Sequence, residues 1–214
     1  MDEVTVIARL QACGVVPVVV IEDASRAVDL AHALAEGGID VVEVTLRRPA
    51  ALEALAAIAR SVPGSLAVAG TVVTPEQVAQ VKDAGAQAVV SPGFSEGVDA
   101  ALRAAGLPWL PGVATASDCM RAVAAGRLVA KFFPAEQAGG PTAIKALSGP
   151  FPQLRFCPTG GVGLKNLGDY LALPQVICVG GSWLVPAEAI ASGDWKRIAT
   201  LAREAREAFA ALRP

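Results

Sequence analysis

The chain has 214 residues, of which 53% are hydrophobic and 18% are charged, and its formal net charge is −2. This composition is typical of one globular domain with a large core, and it excludes an intrinsically disordered chain. The absence of Lys/Arg-rich tracts argues against a nucleic-acid partner, and no apolar run is long enough to span a bilayer. The acidic start Met1-Asp2-Glu3 does not fit a signal peptide, so we expect a cytoplasmic protein with a single domain over residues 1–214.

Short apolar runs alternate with alanine-rich helical stretches along the whole chain. We expect a first helix at Val4–Ala12, followed by eight buried strands at Val15–Ile21, Ile39–Leu46, Ser65–Gly70, Gln87–Ser91, Trp109–Val113, Leu128–Phe133, Leu154–Cys157 and Val176–Val179. Further helices are predicted at Ala24–Glu36, Ala50–Ser61, Pro75–Ala84, Ser95–Ala105, Ser117–Ala125 and Trp195–Leu212. Several of them have Ser or Thr at the start and Gly at the end, as helix caps require.

This alternation predicts an α/β fold, and more specifically a single-domain (β/α)8 TIM barrel with an extra N-terminal helix. The alternative is an open, doubly wound sheet. Eight strands without a dinucleotide-binding fingerprint fit a closed barrel better than the open sheet.

The rare reactive residues restrict the chemistry. The four cysteines form no C-x-x-C pair, so a zinc ribbon is not expected: Cys13, Cys119, Cys157 and Cys178. His32 is the sole histidine and lies in a predicted helix. A Ser-His-Asp triad or a multi-histidine metal site is therefore not expected either.

Lys131 occupies an unusual place, inside the apolar run Leu128–Phe133 that ends at Pro134. Lysine is rarely buried without a partner, and burial disfavours the charged ammonium. The free amine can then attack a carbonyl and form a Schiff base. The alternative is a lysine at a strand end that reaches water or pairs with a carboxylate.

Other polar residues fall at strand ends, where barrel enzymes place their functional groups. Glu43, Thr45 and Arg47 alternate along the end of the second strand and should share one face. Glu43 is a candidate general acid and base, or a structural partner of Arg47 or Lys131. Arg47 offers a bidentate fork for a carboxylate or a phosphate, whereas Arg48 should point to the opposite side.

Glycine pairs follow the seventh and eighth strands, at Gly160-Gly161 and Gly180-Gly181, and Ser182 follows the second pair. These are the loops in which such barrels bind phosphate through backbone N–H groups. A single Gly-Gly pair is weak evidence, since most are only turns. Two pairs after these two strands favour a phosphate site.

Seven segments together carry a family resemblance: Glu43–Arg47, Ala69–Val72, Ser91–Phe94, Pro111–Thr115, Lys131–Glu136, Phe156–Gly161 and Gly180–Pro186. In this order they resemble the family of 2-dehydro-3-deoxy-6-phosphogluconate (KDPG) and 4-hydroxy-2-oxoglutarate (KHG) aldolases, over most of the chain. The resemblance implies a class I aldolase that cleaves KDPG to pyruvate and glyceraldehyde 3-phosphate. It further implies a homotrimer of (β/α)8 barrels with no metal and no organic cofactor.

The resemblance also implies roles for individual residues. Lys131 would form the Schiff base and Glu43 would shuttle protons. The implied substrate contacts are Arg47 and Thr71 for the carboxylate end, Pro92 and Phe133 for the pyruvate pocket, Thr159 for the sugar-acid chain, and Gly160, Gly161, Gly181 and Ser182 for the phosphate.

Four alternatives stay open. A sibling aldolase acts on the galactonate epimer and carries an arginine at the end of its first strand, in an Ile-Leu-Arg-Gly run, where this chain has Val19-Val20-Ile21-Glu22, a difference that favours the gluconate substrate. A second sibling activity cleaves KHG, which has no phosphate. A phosphosugar isomerase or synthase, or a non-catalytic phosphate-binding module, would share the barrel and the phosphate loops without needing Lys131.

Overall fold

The computed structural model describes residues 1–213, and its strands pair in parallel. The strands are β1 Val15–Val19, β2 Val41–Thr45, β3 Leu66–Gly70, β4 Ala88–Val90, β5 Trp109–Leu110, β6 Gly112–Val113, β7 Val129–Phe132, β8 Arg155–Pro158 and β9 Val179–Gly181. Within residues 1–213 they form a six-stranded sheet, in the order β5-β4-β3-β2-β1-β9, and a three-stranded sheet, in the order β6-β7-β8. The α/β class predicted from the sequence is confirmed.

Helices alternate with these strands. They are α1 Glu3–Cys13, α2 Ala27–Glu36, α3 Ala51–Ser61, α4 Pro75–Asp83, α5 Glu96–Ala105, α6 Ala116–Ala124, α7 Gly140–Ser148, α8 Leu167–Leu171, α9 Ala187–Ser192 and α10 Trp195–Leu212. A turn of 3-10 helix at Ala24–Arg26 leads into α2. The predicted N-terminal helix is present as α1, capped by the Asp2 side chain, which accepts a hydrogen bond from Thr5 N at 2.7 Å.

Most element boundaries differ from the sequence prediction by one to three residues, and two of these differences have clear local reasons. The helix expected to begin at Ser117 begins at Ala116, because Thr115 and Asp118 form a reciprocal capping box. The last strand lies at Val179–Gly181 and not at Val176–Val179, since its register with β1 pairs Val15 with Val179.

Helices α7, α8 and α9 are absent from the sequence prediction. The first begins at a glycine followed by a proline, and the other two span five and six residues. Helices α8 and α9 therefore complete too few turns to show a periodic apolar pattern. They lie among the loops that carry Glu136 and the glycine pairs.

The predicted strand Trp109–Val113 is interrupted at Pro111, which separates β5 in one sheet from β6 in the other. Proline cannot donate a ladder hydrogen bond, which explains the interruption. Near the other end of the chain, isolated parallel bridges join Phe156 to Val176 and Thr159 to Gly180. The two sheets therefore approach each other both at Pro111 and beside β9.

The core follows from the strand composition. Every residue of β1, β2 and β3 is buried, as expected for parallel strands covered on both faces. Among the helices of residues 1–213, none combines the length and the apolar character needed to cross a membrane.

Candidate active site

A buried ion pair lies where the two sheets meet. Lys131 Nζ, on β7, is 3.1 Å from Glu43 Oε1, on β2, and both side chains are 4% exposed. Strand β7 is paired on both sides, so that Lys131 lies opposite Gly112 on β6 and Cys157 on β8. A charge pair this deeply buried is weak evidence for stability by itself, because desolvation cancels much of its attraction. Its position at the carboxyl ends of parallel strands makes it a candidate catalytic pair.

A cavity of about 180 Å³ lies beside the pair. The Phe133 ring connects the two, since its centre is 5.3 Å from Lys131 Nζ and the ring also lines the cavity. Seven residues predicted as substrate contacts line this cavity: Arg47, Phe133, Thr159, Gly160, Gly161, Gly181 and Ser182.

The glycine loops present backbone donors to this cavity. In the described part of the chain, the N–H groups of Gly160, Gly161 and Ser182 donate to no protein acceptor. Gly160 and Gly161 have φ angles of 102° and 79°, a left-handed conformation that glycine adopts without a steric penalty. Unpaired backbone donors that converge on one cavity are suited to binding an anion.

Thr71 and Pro92 lie outside the lining of this cavity. Pro92 lines a second cavity of about 190 Å³ between the loops after β3 and β4. Its backbone nevertheless lies against Gly112, the register partner of Lys131: a Cβ at Gly112 would be 2.1 Å from the Pro92 carbonyl. Pro92 thus lies one strand away from the lysine.

Thr71 has a φ angle of 63°, which is unusual for a β-branched residue. Strained backbone of this kind persists where surrounding contacts fix it, often at functional sites. Thr71 directly follows Gly70, the last residue of β3.

Other predicted polar residues have structural roles. The Thr45 hydroxyl donates to Val19 O at 2.8 Å, which ties β2 to β1. Arg48 is not among the residues that line the cavity, and it pairs with Glu22. His32 is exposed on α2.

Two residues to which the sequence assigned no role, Glu136 and Tyr170, form a hydrogen-bonded pair beside Gly161. Tyr170 is fully buried and its hydroxyl donates a hydrogen bond to Glu136 Oε1. Burial and the adjacent Glu136 carboxylate raise the pKa of the Tyr170 phenol well above its ordinary value. Only its contact with Glu136 distinguishes Tyr170 from the other buried aromatic residues.

Comparison with known proteins gives consistent results. A family model described as KDPG and KHG aldolase matches residues 6–201. The 2-dehydro-3-deoxy-phosphogluconate aldolase of Dickeya dadantii is 52% identical over 196 residues, 92% of each chain. The KHG/KDPG aldolase of Escherichia coli K12 is 50% identical over 193 residues, 90% of this chain and 91% of the relative. The solved KDPG aldolase of Legionella pneumophila, with pyruvate captured as a covalent carbinolamine, has a TM-score of 0.90 at 46% identity, covering 93% of this chain and 97% of that one.

Proposed function

The chain belongs to the KDPG and KHG aldolase family, and on that premise we propose that it is a class I aldolase that cleaves KDPG to pyruvate and glyceraldehyde 3-phosphate. The observation that carries the proposal is the buried contact between Lys131 Nζ and Glu43 Oε1 beside a cavity with free backbone donors. A carbonyl bound between them would meet a nucleophile and a proton carrier at once.

The first half of the reaction needs a neutral amine. A proton passes from Lys131 to Glu43 across their hydrogen bond, and the amine attacks C2 of the substrate. Glu43 returns protons as the carbinolamine loses water, leaving a protonated imine. The two groups lie within direct proton-transfer distance, so this step needs no rearrangement of the strands.

The imine then draws electrons from the C3–C4 bond. Glu43 takes the proton of the C4 hydroxyl, the bond breaks, and glyceraldehyde 3-phosphate leaves. The enamine that stays on Lys131 is protonated at C3 and hydrolysed to pyruvate. In this scheme the Phe133 ring, with its centre 5.3 Å from Nζ, shapes the pyruvate pocket together with Pro92.

The remaining residues bind and orient the substrate. Arg47 and Thr71 hold the carboxylate end, and Thr159 contacts the sugar-acid chain. The phosphate binds the N–H groups and hydroxyl of the glycine loops, formed by Gly160, Gly161, Gly181 and Ser182. Support for this assignment comes from the cavity, which brings Arg47 and Thr159 together with all four phosphate-binding residues.

Cleavage of KHG to pyruvate and glyoxylate is a second activity that we propose for the same site. It uses the same lysine and carboxylate and leaves the phosphate loops unused. The name of the Escherichia coli relative, KHG/KDPG aldolase, favours this dual activity. Rates on KDPG, its galactonate epimer and KHG would rank the three substrates, and a dominant rate on the galactonate would overturn the first choice.

The architecture that we propose is one domain, a (β/α)8 barrel closed by joining the two sheets. Support comes from the single residue between β5 and β6 and from the bridges Phe156–Val176 and Thr159–Gly180. We also propose a homotrimer, which light scattering would measure, and a cytoplasmic location. The four unpaired cysteines are compatible with a reducing compartment.

Borohydride trapping tests the function directly. With pyruvate present, reduction should leave a covalent adduct on Lys131, located by peptide mass mapping. Lys131→Met should abolish both the adduct and KDPG cleavage, whereas Lys145→Met, at an exposed lysine, should leave both intact. An adduct on another lysine would contradict the proposal. So would a Lys131→Met variant that keeps its activity, as an isomerase would.

A further inference from the structure

The loop with the free N–H groups is supported from behind by Glu136. A Cβ at Gly161 would lie 2.4 Å from Glu136 Cγ and 2.8 Å from its Cβ, so the glutamate stem lies directly against the Gly161 backbone. The Glu136 N–H donates to Gly160 O at 3.1 Å. Glu136 therefore contacts both glycines without using its carboxylate.

The carboxylate of Glu136 is held by Tyr170. The buried phenol, on α8, donates to Glu136 Oε1. A Cβ at Gly140, the first residue of α7, would be 3.5 Å from both Glu136 Oε1 and the Tyr170 hydroxyl oxygen. The carboxylate thus lies between the start of α7 and Tyr170 near the end of α8, and Glu136 is not among the residues that line the cavity.

This arrangement matters because the cavity is built to bind an anion. A free carboxylate near the glycine loop would repel a phosphate, whereas the Glu136 carboxylate is held by Tyr170 and its residue does not line the cavity. Asn166 supports the loop from its other end, donating to Gly161 O at 3.1 Å and accepting from Gly163 N at 2.8 Å. The position of Gly161 is therefore fixed by side chains on two sides.

Glu136 also belongs to the segment that carries the nucleophile, since it follows Lys131 by five residues. Ala135 N donates to Thr159 O at 2.8 Å, one residue before the Glu136–Gly160 hydrogen bond. The distance between the lysine and the glycine loop is thereby set by one short, hydrogen-bonded segment.

We propose that Glu136 and Tyr170 are positioning residues that hold Gly160 and Gly161 in the phosphate-binding conformation and so set the preference for phosphorylated over non-phosphorylated 2-oxo acids. This inference rests on the proposed aldolase function. Neither residue touches the reacting atoms, and the pair acts through the loop.

Steady-state kinetics on two substrates test the proposal. Tyr170→Phe removes only the hydroxyl, and we expect KM for KDPG to rise about tenfold, the equivalent of one lost hydrogen bond to a charged group. The values of kcat for KDPG and of kcat/KM for KHG should change less than about twofold, because the loop is not part of the chemical step. A merely structural role would lower both activities together.

Further variants separate the contacts. Glu136→Gln keeps the stem and an oxygen acceptor, so KM for KDPG should stay within about twofold of the native value. Glu136→Ala loses both and should raise KM at least as much as Tyr170→Phe, and the double variant should be no worse than Glu136→Ala alone. Ser148→Ala, which removes a buried hydroxyl bonded to Ile144 O on α7, is the matched control and should leave KM unchanged.

Binding of inorganic phosphate, measured by calorimetry, gives a readout that does not depend on turnover. Tyr170→Phe should weaken it about tenfold relative to the native protein and to Ser148→Ala. Unchanged phosphate affinity and unchanged KM for KDPG, or equal losses on both substrates, would overturn the proposal. Borohydride trapping on the same samples distinguishes this failure from failure of the aldolase function, since trapping depends on Lys131 and not on the loop.

Discussion

Gly70 lies against the carboxylate of Glu43. A Cβ at Gly70 would be 2.4 Å from Glu43 Oε1 and 2.7 Å from its Cγ. Real Cβ atoms do not approach other atoms this closely, so the space that Glu43 occupies exists only because residue 70 has no side chain. The end of β3 therefore determines where the carboxylate on β2 can meet Lys131.

The first prediction follows from this contact. Gly70→Ala should displace the Glu43 carboxylate by about 1 Å and lower kcat on KDPG about 100-fold, since misplacement on that scale is costly to catalysis. Gly64→Ala is the control, because nothing lies within 4 Å of a Cβ at that glycine. Equal kcat values for the two variants, with both folded by circular dichroism, would count against a role for the Gly70 contact.

The second prediction concerns proton transfer. Glu43→Gln keeps an oxygen to accept the Lys131 hydrogen bond but cannot carry a proton, so kcat should fall about 100-fold or more. Exchange of the pyruvate methyl protons in heavy water, followed by NMR, should slow in parallel. If the exchange rate stayed native while cleavage was lost, Glu43 would have a different task from the one proposed.

The third prediction separates the two ends of the substrate. Arg47→Ala should raise KM for both KDPG and KHG about tenfold, because both carry the carboxylate that its guanidinium is proposed to bind. Ser182→Ala should raise KM for KDPG about fivefold and leave KHG unchanged, because only KDPG carries a phosphate. An effect of Arg47→Ala on KDPG alone would move Arg47 from the carboxylate end to the phosphate end.

The fourth prediction concerns stability and pH. Burial opposes ionisation of Asp99, but hydrogen bonds and charges from Arg103 and Arg127 outweigh it and hold the pKa of Asp99 below its usual value. Because the pKa of Asp99 is lowered in the folded state, the ionised carboxylate stabilises the fold, and this stabilisation is complete above the unfolded pKa of about 3.9. The contribution is lost as pH falls through the folded value.

Asp99→Asn should therefore lower the free energy of unfolding by about 1 kcal/mol near neutral pH, with the difference closing as the pH falls below the unfolded value of about 3.9. Urea titrations at neutral pH and in acid measure it. Asp83→Asn, at an exposed aspartate, is the control and should change little at either pH. A difference for Asp99→Asn that persists unchanged in acid would mean that the carboxylate's charge is not what stabilises the fold.

The sequence predicted the strands well because each is a nearly continuous apolar run. Its errors were local and have physical causes. The prediction at Trp109–Val113 did not allow for the missing donor of Pro111, and α8 and α9 are too short to show a helical period. The positions of Glu43 and Lys131 near the ends of predicted strands can be read directly from the sequence. Because parallel strands end on the same side, the approach of these two residues was predictable.

Other parts of the site depend on contacts that no local pattern encodes. Glu136 and Tyr170 are 34 residues apart and meet only when the loop after β7 packs on α8. The left-handed backbone of Thr71 runs against the preference of a β-branched residue, so propensity could not have indicated it. The motif around Lys131 drew attention to Glu136, but only the structure shows what it contacts.

The Lys131–Glu43 ion pair joins residues 88 positions apart, one from each sheet. Contacts between residues so far apart in sequence form late, because the entropy cost of closing the long intervening segment must first be compensated by packing. A refolding intermediate that contains only one sheet has no nucleophile–carboxylate pair, however native its helices are. Recovery of pyruvate trapping during refolding therefore reports completed assembly of both sheets, and it should lag behind the recovery of helical circular dichroism.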